Sequence, residues 1–461
     1  MKTNRLSVSG IVLLALMLSG TPPETLAGEQ TNIRGLGMAR TSVAASRGLD
    51  AVGINPANLA LRDDATVTIG LMPIGIGVGS DFMTYGLYNK FFTGVETPTG
   101  RVARNLSESD KQELLNAFPG GMGRISADAE VRPIGLAIRF EGFATFALTA
   151  TERVAATAAI PSSYARFLLE GVTPASSYDF SGAAGAAAWT REYALSAGFV
   201  LPAVPWFRSW SGGLSVKLVH GFAYAAVTRD NTWLSAGSNG VLDANVDLAG
   251  VTSQSDLKSS PFPAPAGSGI GVDLGISAEM NEFLIAGISV TDIGSMRWDG
   301  DVRQVYGLGR MHLDDPMNGA QRDSLEHSVT GNTKPGGAFT VGLPTTLRMG
   351  VQVELGQISW VKKILYGEMT AGCDFAQGFS DFPGSSRVGR LSLGLEYRPW
   401  QFLPIRTGVG FGGLDRFNFA LGFGLKIWVV QLDVASDNIG WLFSHDSFSR
   451  GSLGVGLTLK M

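Results

Sequence analysis

Four histidines and one cysteine are the only imidazole and thiol side chains in this 461-residue chain. A lone Cys373 forms no intrachain disulfide and no C-x-x-C metal or redox site. Among His220, His312, His327 and His445, only His220 lies in a regular strand pattern. Beside a serine or carboxylate it would serve a hydrolase, but packing or hydrogen bonding is the ordinary work of a strand histidine. Asp314, Asp315 and Asp323 near His312 are oxygen ligands of the type calcium takes, without EF-hand spacing. Gly35-Leu36-Gly37-Met38-Ala39-Arg40 lacks the third glycine of a dinucleotide loop, and Gly408–Gly412 falls within strand alternation. Neither G-x-S-x-G nor H-E-x-x-H occurs. The pattern therefore designates no catalytic, metal or cofactor residue, and the chain reads as a non-enzyme. A formal net charge of −4 gives no electrostatic case for nucleic acid.

The more informative charges recur at a spacing of two. In Arg416–Ile427, Phe417, Phe419, Leu421 and Phe423 alternate with Arg416, Asn418, Ala420 and Gly422, before Lys426. Alternate residues lie on opposite faces of a strand, so one face is apolar and the other polar or small. The same pattern places Arg348 and Glu354 between Leu347, Met349, Val351 and Val353. It places Arg390 and Glu396 among Leu391, Leu393 and Leu395, and Asp273 between Val272 and Leu274. Counting weaker candidates, about 14 strands are expected, many of nine or more residues.

Their connections alternate between a few residues and long Gly-, Pro-, Ser- and Asp-rich stretches, expected as irregular over 153–190, 228–268, 297–344 and 376–387. Ser107 with Asp110 three positions on opens a short amphipathic helix. Residues 1–27 read as a secretory signal peptide: Lys2 and Arg5, the apolar run Ile11–Leu18, then Thr25-Leu26-Ala27. No later window has the unbroken apolar length of a membrane-crossing helix. Long strands, many in number, behind a signal peptide point to an all-β, transmembrane, up-and-down antiparallel barrel in the bacterial outer membrane. Phe417, Phe419, Leu421 and Phe423 would then face lipid. Asp273, Arg348, Glu354, Arg390, Glu396, Arg416, Asn418 and Lys426 would face the lumen. Trp400, Trp428, Trp441, Tyr397 and Phe402 fall near strand ends, where aromatic girdles form.

The stretch from Gly35-Leu36-Gly37 to Asn55-Pro56-Ala57-Asn58 resembles the N-terminal signature of the FadL-like outer-membrane superfamily. Asp273-Leu274-Gly275, Asp292-Ile293-Gly294, Leu343-Pro344 and Gly394-Leu395-Glu396-Tyr397-Arg398 extend the resemblance over most of the chain. It implies a 14-stranded barrel over 64–461 and a plug over 28–63, built on Gly35, Gly37, Asn55, Pro56, Ala57 and Asn58. It further implies passive passage of small hydrophobic molecules, fatty-acid-like or aromatic. A subgroup of the same superfamily instead holds secreted or surface proteins, which is the second reading; a barrel hydrolase is the third. The implied partners are the lipid bilayer, the barrel-assembly machinery and a small hydrophobic ligand or surface protein, with no cofactor. Pro73 and Pro133, near strand starts, would remove ladder donors and open a lateral gap.

Overall fold

The computed structural model describes residues 29–461 except 64, 257–262, 315–330, 381, 384–386, 414–416 and 441–448. The signal-peptide reading, Arg416, Trp441, His327, His445, Asp315 and Asp323 lie outside the described residues. Fourteen antiparallel strands close into one barrel. They are β1 (Val67–Ser80), β2 (Met122–Phe140), β3 (Ala144–Pro161), β4 (Ala184–Val200), β5 (Ser209–Asp230), β6 (Gly267–Glu279) and β7 (Leu284–Trp298). The other half comprises β8 (Thr346–Glu354), β9 (Glu368–Gly378), β10 (Arg390–Trp400), β11 (Leu403–Gly412), β12 (Phe417–Ile427), β13 (Val430–Ser436) and β14 (Arg450–Lys460). Strand β1 closes on β14, from Thr68 opposite Lys460 to Gly79 opposite Arg450. Closure leaves the ring itself without an edge strand among the described residues.

Burial along the strands is inside out relative to a soluble sheet. On β12, Phe417, Phe423 and Leu425 are exposed and Phe419 and Leu421 half-buried, while Asn418, Ala420, Gly422 and Gly424 are buried. The polar and small face therefore looks into a filled interior, and the large apolar face looks outward. At one end the connections are short: residues 141–143, 280–283, 401–402 and 428–429. Exposed aromatics collect there, including Phe143, Trp400, Phe402 and Trp428.

At the other end the connections are long, and they are more ordered than expected. Strands β3 and β4 run through much of 153–190, with a helix at Ser162–Glu170 between them. Within 228–268 and 297–344, strands Leu242–Gln254 and Arg303–Leu313 pair and rise above the ring. The sequence hides these extensions because 154–161 and 184–190 are rich in alanine, which gives period-two burial little hydropathy contrast. The helix at Glu108–Asn116 starts on a complete Ser107–Asp110 capping box.

Residues 29–63 lie inside the barrel. They comprise a short helix (Ile33–Gly37) and two 3-10 turns (Gly48–Ala51 and Pro56–Ala60), almost all of it buried.

Candidate functional site

The inner wall admits this segment because each strand offers a small residue where the segment passes. A Cβ on Gly454 of β14 would fall within 2.8 Å of Ile33, and one on Gly422 of β12 within 2.9 Å of the Gly37 Cα. A Cβ on Gly394 of β10 would lie 2.8 Å from the Met38 carbonyl oxygen, and one on Gly372 of β9 2.7 Å from Thr41. On Gly198 of β4 it would meet the Leu59 Cβ at 2.7 Å and the Ala60 nitrogen and Pro56 oxygen at 2.8 Å. Because real Cβ contacts are longer than this, glycine is what lets backbone approach backbone. The segment thus circles the lumen, running from β14 through β12, β10 and β9 round to β5 and β4.

Polar side chains from the wall hold it. The Asp374 carboxylate accepts the Ser42 and Val43 N–H groups at 2.5 and 2.7 Å. Ser289 and Ser211 donate to the Ile54 and Ala57 carbonyls at 2.6 and 3.0 Å. The Arg40 guanidinium pairs with Asp437 at 2.7 Å, both buried. Glu396 is shared between Arg34 of the segment (2.9 Å) and Arg406 of the wall (2.6 Å). A second buried cluster, on the wall itself, sets Lys217 between Asp273 (3.0 Å) and Asp292 (2.7 Å). Such charges are tolerated in an interior because each has an opposite charge and further donors or acceptors.

Two breaks in this filling stand out. At the short-turn end a cavity of about 510 Å³ opens between the segment and the wall, bordered by Arg47, Glu354, Lys426 and Lys460. A smaller one of about 40 Å³, sharing Arg34, Arg47, Asp50 and Lys460 with it, reaches Pro73 and Gly456 in the wall. There the ladder itself lapses. Pairing between β1 and β2 stops at Gly70/Gly135 and resumes at Ile74/Val131, leaving 71–73 and 132–134 unpaired. Pro73 and Pro133 supply no N–H there. Both strands also shift register against their outer neighbours at this level, β1 against β14 and β2 against β3. Met72 takes a left-handed φ of 51°.

The model of a family of unknown function, DUF5723, matches residues 56–437. The chain belongs to the DUF5723 family. No curated protein matches the sequence. In structure the DUF5723 chain is similar to the Ralstonia pickettii toluene transporter TbuX, at 11% identity over 94% of this chain and 99% of that one, TM-score 0.48. It is also similar to the Pseudomonas putida toluene transporter TodX (11% identity, 94% and 98% covered, TM-score 0.44). A FadL homologue of Pseudomonas aeruginosa is a third, at 14% identity over 94% and 98%, TM-score 0.41. The DUF5723 barrel has the strand number that the FadL-like resemblance implies.

The residues singled out in the DUF5723 sequence have definite places. Asn32 caps the first helix by accepting the Gly35 N–H at 2.9 Å, and Gly37 touches β12. Asn55, wholly buried, donates to Ser277 Oγ at 3.1 Å and accepts the Ala57 N–H at 3.2 Å, with Pro56 at the first position of the turn. Asn58 donates to the Val43 carbonyl and Ser46 Oγ, both at 2.8 Å. Asp273, Arg348, Arg390, Glu396 and Asn418 are buried. Arg348 pairs with Glu29, and Arg390 donates to Asn418 Oδ1 at 3.1 Å. Glu354 and Lys426 are half-buried on the larger cavity's wall. His220 packs edge-on against Tyr193, and His312 bridges Asp243 and Asp314 above the ring. Those two carboxylates, Asp243 foremost, raise the His312 pKa.

Arg34, Arg40, Arg406, Asp374, Asp437 and Lys217 are functional-site residues that the sequence pattern does not single out. For Arg406, Asp374 and Lys217 the only local signal was a charge on the small-residue face of a strand; Arg34 and Arg40 lie on the inner segment and Asp437 just past β13, where no strand period applies.

Proposed function

We propose that this barrel is a bacterial outer-membrane channel that passes small hydrophobic molecules, with residues 29–63 as its plug. The reading is carried by the lapse of the β1/β2 ladder at Pro73 and Pro133, backed by an internal cavity that reaches Pro73. An apolar solute entering or leaving sideways avoids crossing water, and the missing ladder bonds lower the cost of parting the strands. The outward row Phe417, Phe419, Leu421 and Phe423 faces hydrocarbon, the only environment in which an apolar exterior around a charged interior is favourable. Asp273, Arg348, Glu354, Arg390, Glu396, Asn418 and Lys426 face the lumen on this reading.

The test is toluene flux into vesicles carrying the purified protein. Flux should exceed that of protein-free vesicles and fall in Pro73→Ala/Pro133→Ala, which restores two ladder donors. Flux equal to that of protein-free vesicles refutes the channel.

A protein-binding role for the opposite end is the second reading, favoured by the ordered strands and helix that rise above the ring there. A variant lacking residues 162–170 that keeps full toluene flux but loses capture of a surface protein would support it.

A further inference from the structure

We propose that the junction of the two cavities at the short-turn end is an oxyanion site, in which Arg47, on the wall of both, and Arg132, on the wall of the smaller, hold a carboxylate or phosphate group. The chain as a whole carries −4, yet eight lysine and arginine side chains line the larger cavity against five aspartates and glutamates. Four of these eight cations are neutralised: Arg34 and Arg406 on Glu396, Arg398 on Glu396 and Glu368, Lys460 on Asp63. Arg47 is not, and neither is Arg132 on the adjoining smaller cavity. The Arg47 guanidinium donates to the Ala44 and Ser46 carbonyls at 3.0 and 2.7 Å. Arg132, 94% buried, donates to the Leu49 carbonyl at 3.3 Å and Thr151 Oγ1 at 3.4 Å. These acceptors are neutral, and among the described residues no carboxylate lies within 4 Å of either group.

A buried guanidinium with only neutral partners is costly, and the planar fork matches an oxyanion with two parallel donors. The carbonyl acceptors of both arginines lie on the one turn, Ala44 to Leu49, which ties both forks to it. Asp50 of that turn and Asp433, which pairs with Arg406, are the acidic groups on the smaller cavity, against Arg34, Arg47, Arg132 and Lys460. Arg132 stands in register with Pro73, at the lapse in the ladder. The oxyanion can therefore be a free anion arriving from the short-turn end, or the head group of an amphiphile whose chain lies in the wall lapse.

Calorimetry on the full chain in nonionic detergent separates these sources, with inorganic phosphate, decanoate and decanol as probes. Binding of phosphate and decanoate alike identifies a free-anion site, whereas decanoate without phosphate identifies a head-group site. Either supports the proposal if decanol does not bind, and Arg47→Gln should then weaken binding at least tenfold. Arg132→Gln tests the second fork. If that variant does not fold, Arg47→Lys, which keeps the charge but loses the fork, should still weaken binding severalfold. Binding of neither anion, or affinity unchanged in a folded Arg47→Gln protein, overturns the site. Toluene flux into vesicles carrying the same purified protein is a separate readout, so its persistence without anion binding removes the oxyanion site and leaves the channel.

Discussion

Gly198→Val tests whether close approach at the wall holds the inner segment in place. Its Cβ would sit 2.7 Å from the Leu59 Cβ and 2.8 Å from the Ala60 nitrogen and Pro56 oxygen. Carbon contacts settle at about 3.5–4.0 Å, so the turn would have to retreat by most of an ångström at three points together. Overpacking of this type costs about 1–3 kcal/mol. Retreat also breaks the Ser211–Ala57 and Asn55–Ser277 hydrogen bonds, worth about 1 kcal/mol each. Together, about 3–5 kcal/mol raises the undocked population by on the order of a hundred- to several-thousandfold. Trypsin reads that population through cleavage after Arg40, Arg47 and Arg62, provided opening is fast relative to cleavage. Leu195→Val, on the outward face of the same strand, is the control and should cleave as the unmodified protein does. If Gly198→Val retains the β-sheet circular dichroism of the barrel and cleaves within twofold of the unmodified rate, the glycines do not secure the segment.

Glu396→Gln leaves the Arg34 and Arg406 charges without their shared carboxylate and should cost about 3–5 kcal/mol in urea unfolding from lipid vesicles; a loss below about 1 kcal/mol would show that the network is not needed. Leu421→Arg should destabilise the vesicle-embedded barrel by about 2–4 kcal/mol, and an unaffected midpoint would place that face outside hydrocarbon. His312 should titrate above the ordinary histidine value by NMR, and Asp243→Asn should lower it. Because the folded pKa is the raised one, the stabilisation from this pair is fully present below the ordinary value of about 6.5 and fades as pH rises through the folded pKa. An unshifted His312 refutes the pairing.

By itself the sequence determined the barrel wall. A strand reverses faces at every residue, so Phe417–Phe423 and Leu391–Leu395 declare their two sides without any knowledge of neighbours. Where alanine removes the contrast, as at 154–161, local pattern failed even though the strand is there. Other features were decided only by closure. Arg34 meets Glu396 across 362 residues of chain, and Arg40 meets Asp437 across 397. The register at which β1 joins β14 fixes which wall residues share a level, and the course of the inner segment fixes which glycines are touched. Both are long-range quantities with no local period. The same holds for charge: composition gives −4 for the chain, whereas the excess of cations at the short-turn end exists only because strand ends and the inner segment bring their side chains to one cavity.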